Sequence, residues 1–314
     1  FKATPLIFTG LAVAFAFRAG LFNIGAEGQL YIGTFLTAYL GFALINLPGF
    51  LLIPLCILGG MAGGALWAGI PGILKARRGA HEVITTIMMN FIALALTNYL
   101  VARHFHMPET VHTRAVSLAA RIPRLSTIFS KFSGSPLNYS IFLALLACLI
   151  IYYILWKTSL GYELRAVGLN PFTSEYGGIN IAKSTILAMA ISGALAGLVG
   201  VNYVMGYKYY FEQGFAGGVG FMGIAVALLG RNNPIGVILA ALLFGLLSFG
   251  GLIINAYVPK ELVEILQAIV IIFVIAFSRP FREYLMRMRE RTLAQRVGRV
   301  RTVEEGFKIS PSNP

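Results

Sequence analysis

Long apolar runs alternate with short polar joints along the whole chain. The runs cover 4–17, 28–46, 49–74, 82–102, 138–156, 184–206, 217–230, 234–256 and 261–279. About 20 predominantly apolar residues cross a bilayer as a helix, so these nine segments are expected to be transmembrane helices. Two of them, 4–17 and 217–230, are short. Asn46-Leu47-Pro48-Gly49 reads as a turn between helices. The largest non-apolar segments are 103–137 and 157–183. In the second, Asn170 precedes Pro171, which suits a helix start: Asn caps and Pro occupies the first turn. A short helix over 171–177, lying outside the bilayer, is expected there. The fold class is therefore an all-α polytopic membrane protein with broken helices. Its transmembrane domain spans 1–279, and a basic tail occupies 280–314.

Composition sharpens this picture. The 314 residues are 57% hydrophobic and 12% charged, against about 25% charged in a soluble domain. Mean hydropathy is +0.78. These values exclude a soluble globular enzyme, a disordered protein and a nucleic-acid-binding module. The net charge of +13 is read through topology instead. With the Arg-rich C-terminus in the cytoplasm, alternation places Arg18, Lys75, Arg77, Arg78, Lys157, Arg165, Lys183 and Arg231 inside with the tail. Lys2, Arg103, Arg114, Arg121, Arg124, Lys131, Lys208 and Lys260 fall outside. The inside holds the greater share, as the positive-inside rule asks. Loop 103–137 is then extracytoplasmic and 157–183 cytoplasmic. The chain opens on Phe1 rather than Met, and one more N-terminal helix, the tenth, is expected to bring both ends inside. Tail residues 280–301 read as an anchor on anionic lipid.

The acidic residues number 12, and all are Glu. Without Asp there is no Ser-His-Asp triad and no aspartyl-phosphate chemistry, and no Asp to hold magnesium for ATP hydrolysis. No catalytic residue and no cofactor site is expected. Cys56 and Cys148 lie in apolar runs without metal-ligand spacing and read as packing residues. Two soluble-enzyme patterns are rejected. Gly218-Val-Gly220-Phe-Met-Gly223 imitates a dinucleotide fingerprint but lacks the strand and the following acidic residue. Gly177 to Ser184 imitates a P-loop, with Ala182 where Gly is required.

Other glycines carry structural meaning. Gly59, Gly60, Gly63 and Gly64, and likewise Gly193 and Gly197, recur at helical spacing and are expected to admit close helix packing. Two Gly-rich polar stretches, Arg18–Gln29 and Gln213–Gly220, interrupt helices at membrane depth. Non-helical backbone there must be buried in protein or line a wet cavity, and a matched pair of breaks points to a transport site. Glu27 is the key residue, with Arg18 as a possible partner and Asn23 and Gln29 as neutral donors and acceptors. A second reading stays open, in which Asn23, Glu27 and Gln29 cap helix 28–46 and brace the loop. His81 and Glu82 read as the start of helix 82–102 rather than as metal ligands. Asn90, inside that helix, either bonds to a neighbour or faces a pathway. Tyr203, Tyr207, Tyr209, Tyr210 and Phe211 read as an interfacial aromatic belt.

The stretch Gly20-Leu-Phe-Asn-Ile-Gly-Ala-Glu-Gly-Gln29 resembles the signature of permeases of bacterial ATP-binding cassette (ABC) importers, in the branched-chain amino acid, ribose and nucleoside superfamily. Three further stretches agree: Arg78 to Asn90, Leu164 to Asn170 running on to Gly178-Ile-Asn180, and Ala225 to Pro234 with Gly236. The nucleoside-type, simple-sugar-like permeases are the most similar branch. The resemblance implies a permease domain that forms half of a pathway with a second, homologous permease chain. It implies two cytoplasmic ATPase subunits holding ATP and Mg, and an extracytoplasmic substrate-binding lipoprotein. Phe22, Asn23, Glu27, Gln29 and Asn90 would lie in the substrate pathway. The 171–177 helix would be a coupling helix, with Asn170, Pro171, Thr173, Ser174 and Tyr176 docking the ATPase. The setting would be the bacterial cytoplasmic membrane. Nucleosides are the expected substrates. A small sugar or a branched-chain amino acid is the alternative within the same machine. An ion-coupled transporter using Glu27, or a scaffold without flux, are alternatives of other classes.

Overall fold

The computed structural model describes residues 1–127, 134–254, 259, 262, 265–270 and 272–273. The chain divides into Phe1–Val263 and Glu264–Pro314. In the second unit, 265–270 and 272–273 are helical. The expected helix 261–279 is therefore described only in part, and the 280–314 tail lies outside the described residues.

The first unit is helical, with only isolated bridges and no strand among the described residues. Its helices are α1 (Ala3–Arg18), α2 (Ala26–Ala43), α3 (Gly49–Arg78), α4 (Glu82–Leu100), α5 (Ser140–Lys157), α6 (Ser159–Leu169), α7 (Pro171–Tyr176), α8 (Ile181–Gly197), α9 (Val219–Leu229) and α10 (Pro234–Ile254). Wider π-type turns extend α4 through Val101–Phe105 and follow α8 over Val201–Lys208. Five of the resulting helices are long and apolar enough to cross a membrane: Gly49–Arg78, Glu82–Phe105, Ser140–Lys157, Ile181–Lys208 and Pro234–Ile254. Ala3–Arg18 and Val219–Leu229 are shorter apolar helices. This is a multi-pass membrane protein.

Burial sorts the helices. A helix that is apolar all round belongs in an interior, and α1 is buried from Thr4 to Ala16. It packs against α5, α8, α9 and α10. By contrast α3, α4, α5 and α10 expose large apolar side chains such as Leu66, Phe91, Leu149 and Leu246. Leucines facing outward from a bundle suit lipid or another apolar helix.

The spaced glycines do what their spacing predicts. A Cβ on Gly193 of α8 would strike the Gly64 carbonyl of α3, and one on Gly197 would strike Gly60. Gly33 of α2 lies against Gly197 as well. Three backbones thus meet with no side chain between them, which maximises dispersion contact. At its far end α3 stops at Gly79 in the left-handed conformation (φ 66°), with Lys75, Arg77 and Arg78 in the last turn. Both features suit a helix C-terminus: glycine tolerates the turn, and cations offset the dipole.

Segment 157–183 differs from expectation. It holds two helices, not one, because α6 precedes α7. The Thr158 hydroxyl accepts the Gly161 N–H at 3.2 Å and starts α6, which then buries Leu164 and Val167 on one face. That Thr cap and i, i+3 apolar pair are the signal that the sequence reading passes over. The 103–127 stretch is also more ordered than a loop need be. Its backbone runs along the end of the α8 extension: Thr113 N–H donates to Phe211 O at 2.9 Å, Val116 N–H to Tyr209 O at 2.7 Å, and Ile122 N–H to Met205 O at 2.9 Å.

Candidate functional site

The first helix break, between α1 and α2, is tied by hydrogen bonds to several other elements. Its residues hydrogen-bond to α4, α8 and both ends of α9, and each tie has a chemical reason.

Glu27 lies in the first turn of α2, buried. Its carboxylate accepts the Gly218 N–H at 3.1 Å and the Gly220 N–H at 2.6 Å. Those amides open α9, so the carboxylate satisfies orphan donors and faces the positive end of the helix dipole. The two breaks expected from sequence are therefore joined directly. Gly220 has to be glycine here, since a Cβ would run into the Glu27 backbone.

Arg18 does not partner Glu27. Its guanidinium donates to the carbonyls of Asn232, at 2.9 Å, and Arg231, at 3.3 Å, just past the end of α9. It also sits over the Trp156 ring, 5.3 Å from the centroid. A cation is favoured at a helix C-terminus for the same reason that an anion is favoured at its start. Two charges that looked like a pair from sequence instead hold opposite ends of one short helix.

Asn23, fully buried, exchanges hydrogen bonds with Gln29 at 2.9 Å and donates to the Ser192 hydroxyl of α8 at 2.8 Å. Its Oδ1 also takes the Gly25 N–H. The Ser192 hydroxyl in turn donates to the Ala12 carbonyl at 2.6 Å. Asn90 of α4 reaches across to the break, accepting from the Gly28 N–H at 2.8 Å and donating to the Ile24 carbonyl at 3.0 Å. Glu82, at the start of α4, holds Lys75 at 2.6 Å. The helix α2 itself starts at Gly25 without a side-chain cap, so the expected capping by Asn23, Glu27 and Gln29 is replaced by bracing of the loop. His81 likewise makes no side-chain cap for α4.

Of the five residues expected in a pathway, four are buried with their polar atoms held by protein. Phe22 alone is exposed, at 53%, with its ring 4.7 Å from Phe17. Sequence reasoning missed Ser192, Lys75 and the amides of Gly218 and Gly220. Ser192 sits among small residues that read as packing, and backbone donors carry no side-chain signal.

Two members of the expected aromatic belt depart from it. Phe211 and Tyr203 point inward, with 1% and 9% exposure. Phe211 packs edge-on to Phe35 (5.5 Å) and Phe215 (5.2 Å), and Phe215 bridges to Tyr31 and Tyr203. The chain turns at Tyr209, which is left-handed (φ 66°), and Phe211 and Phe215 after it pack against Tyr31 of α2. Tyr209 itself lies beneath Arg121, 4.4 Å from its ring centroid.

The segment expected to dock an ATPase is built as its sequence predicts at one end. Asn170 Oδ1 accepts the Thr173 N–H at 3.1 Å, and Pro171 starts α7. Tyr176 is 96% exposed. Ser174 departs from the expected set: it is buried, with its hydroxyl on the Asn170 carbonyl. Phe172, absent from that set, is exposed instead. A cleft of about 510 Å3, lined by Lys75, Glu175, Asn180 and Thr185 among others, opens beside α7.

The chain matches, over residues 1–275, the family described as branched-chain amino acid transport system / permease component. It is 47% identical to the guanosine ABC transporter permease protein NupP of Bacillus subtilis (strain 168), covering 87% of this chain and 78% of that protein. It is 42% identical to the nucleoside ABC transporter permease protein NupB of Lactococcus lactis subsp. cremoris, covering 86% of this chain and 76% of that protein. It is 36% identical to the glucose ABC transporter permease protein TsgB13 of Haloferax volcanii, covering 90% of this chain and 76% of that protein. No solved structure matches it. With the family matched along residues 1–275 and the helical scaffold in place, the chain belongs to the permease components of the branched-chain amino acid transport system family.

Proposed function

We propose that this chain is a transmembrane permease subunit of an ABC importer, forming half of a pathway for nucleosides across the bacterial cytoplasmic membrane. The observation that carries the substrate class is the ordering of its relatives. Identity is 47% and 42% to guanosine and nucleoside permeases, against 36% to a glucose permease, over nearly the same span. The other half of the pathway is a different permease chain. Two organisms each hold a pair of nucleoside permeases, and this chain is far more similar to one member of each pair: 47% against 30%, and 42% against 31%.

In this reading nine helices of the chain span the bilayer. Phe22 offers its ring to the substrate, while Asn23, Glu27, Gln29 and Asn90 keep the wall behind it in shape. The ATPase subunits, which carry ATP and Mg, dock on α7 through Asn170, Pro171, Phe172, Thr173 and Tyr176. A binding lipoprotein delivers substrate from the outer side. ATP-driven closure of the ATPases favours one arrangement of the helices, and hydrolysis restores the other.

The test is gentle purification of the tagged chain from its native membrane, with identification of what accompanies it, then uptake assays on the reconstituted assembly. An ATP-binding subunit and a second permease, with ATP-dependent uptake of labelled guanosine that unlabelled uridine competes and glucose does not, is the expected result. Competition by glucose alone would transfer the pathway to a sugar. A chain purified alone, with uptake driven by an ion gradient, would overturn the importer.

A further inference from the structure

The importer reading leaves open how a movement at α7 reaches the centre of the bundle, and the packing of α6 supplies a route. Gly168, two residues before the Asn170 cap, lies directly on the first helix break. A Cβ on Gly168 would meet the Arg18 carbonyl, the Gly20 N at 2.8 Å and the Ala19 carbonyl carbon at 2.9 Å. From the other side, a Cβ on Gly20 would meet the Gly168 Cα at 2.9 Å. Gly20 also has φ +72°, which side chains rarely adopt. Backbone touches backbone here, so no flexible side chain can absorb a displacement.

What lies on each side of the contact matters as much as its closeness. On one side the peptide between α6 and α7 is short and stiff: Asn170 is extended (φ −156°), its N–H is bonded to Ala166, and its side chain caps α7. On the other side Gly20 lies two residues after Arg18, which holds the end of α9. Seven residues after Gly20, Glu27 holds the start of α9. A push on α7 thus meets α6, then the break, then both ends of α9.

We infer that the Gly168–Gly20 contact transmits motion from the ATPase-docking helix to the paired helix breaks, with Gly168 and Gly20 as positioning residues for transport. The inference rests on the importer reading above. A close-packed backbone contact is a physical connection of the kind that carries coupling, although contiguity by itself proves none; the experiment supplies that proof.

The complete importer, with both permeases, ATPases and binding protein, is reconstituted with wild-type chain, Gly168→Ala or Gly69→Ala. Gly69 is the comparison because a Cβ there meets nothing within 4 Å. Nucleoside transported per ATP hydrolysed is the readout. Gly168→Ala is expected to lower this ratio about tenfold, within the usual span of coupling effects, with basal hydrolysis and the affinity of the binding protein for substrate unchanged. Gly69→Ala should match wild type. An unchanged ratio in Gly168→Ala overturns the inference.

A second measurement needs no variant. Amide hydrogen exchange in the wild-type importer is compared with and without a vanadate-trapped ATPase. Exchange should change together at 164–176 and 18–29. A change confined to 164–176 overturns the inference. A wild-type assembly that never couples hydrolysis to uptake would instead refute the importer reading.

Discussion

Glu27 and Arg18 stand at the two ends of one helix break, and each holds an end of α9. The arrangement matches charge to dipole at both ends of an 11-residue helix. Removing the carboxylate strands two amides in a buried site, at a cost of about 1–3 kcal/mol each. Glu27→Ala is therefore expected to slow uptake by about tenfold or more, since about 1.4 kcal/mol is a factor of ten. Glu27→Gln keeps one acceptor but turns the other oxygen into a donor facing an N–H, and should fall between. Uptake rates at matched amounts of membrane-inserted protein check the order. Equal rates in all three would remove Glu27 from transport altogether. At this scale the sequence is half readable. A lone carboxylate among apolar residues marks Glu27, and Asn90 marks itself the same way. Their partners are backbone groups of Ile24, Gly28, Gly218 and Gly220, which only the fold brings near. Charge complementarity suggested Arg18 for Glu27, and the carbonyls past α9 outcompete it because they sit within reach of a helix C-terminus.

Among elements, the contact of α3 with α8 and α2 is the closest in the bundle. Gly33, Gly64, Gly193 and Gly197 are set by geometry, since a Cβ on any of them would lie inside a neighbouring backbone. Gly193→Val should destabilise the isolated protein by about 1–3 kcal/mol through overpacking, seen as a lower midpoint of thermal unfolding in detergent. Gly69→Val, on the same helix as Gly64 but facing open space, should leave the midpoint in place. A shared shift would mean that the seam is not the stabilising contact. Elements are where sequence reads best. Runs of apolar residues gave helix limits within a few residues at α1, α3, α4, α5, α9 and α10, because burial in protein or lipid imposes the same composition. The exception is α6, whose half-polar surface carries no such run and whose start depends on one threonine hydroxyl.

For the whole molecule, the open question is sidedness. Charge bias predicts 103–137 outside and the last turn of α3 inside. Glu109 and Arg77 are both exposed, one in each segment, and Cys56 and Cys148 are buried. In intact cells, a membrane-impermeant thiol reagent should label Glu109→Cys and miss Arg77→Cys until the membrane is opened. The reverse pattern would invert the topology. Composition and charge give this expectation, whereas the exposed leucines on α3, α4, α5 and α10 suit lipid and a second chain equally.

One consequence of the tied breaks concerns what the membrane does while the machine is idle. Helix ends exposed at mid-bilayer ordinarily need solvent, and a file of solvent is also a leak for protons and small cations. Here Asn23, Gln29, Asn90 and the amides of α9 are bonded within the chain. Polar groups bonded in this way call for no solvent, which is the condition a permease has to meet if it is to rest without dissipating an ion gradient.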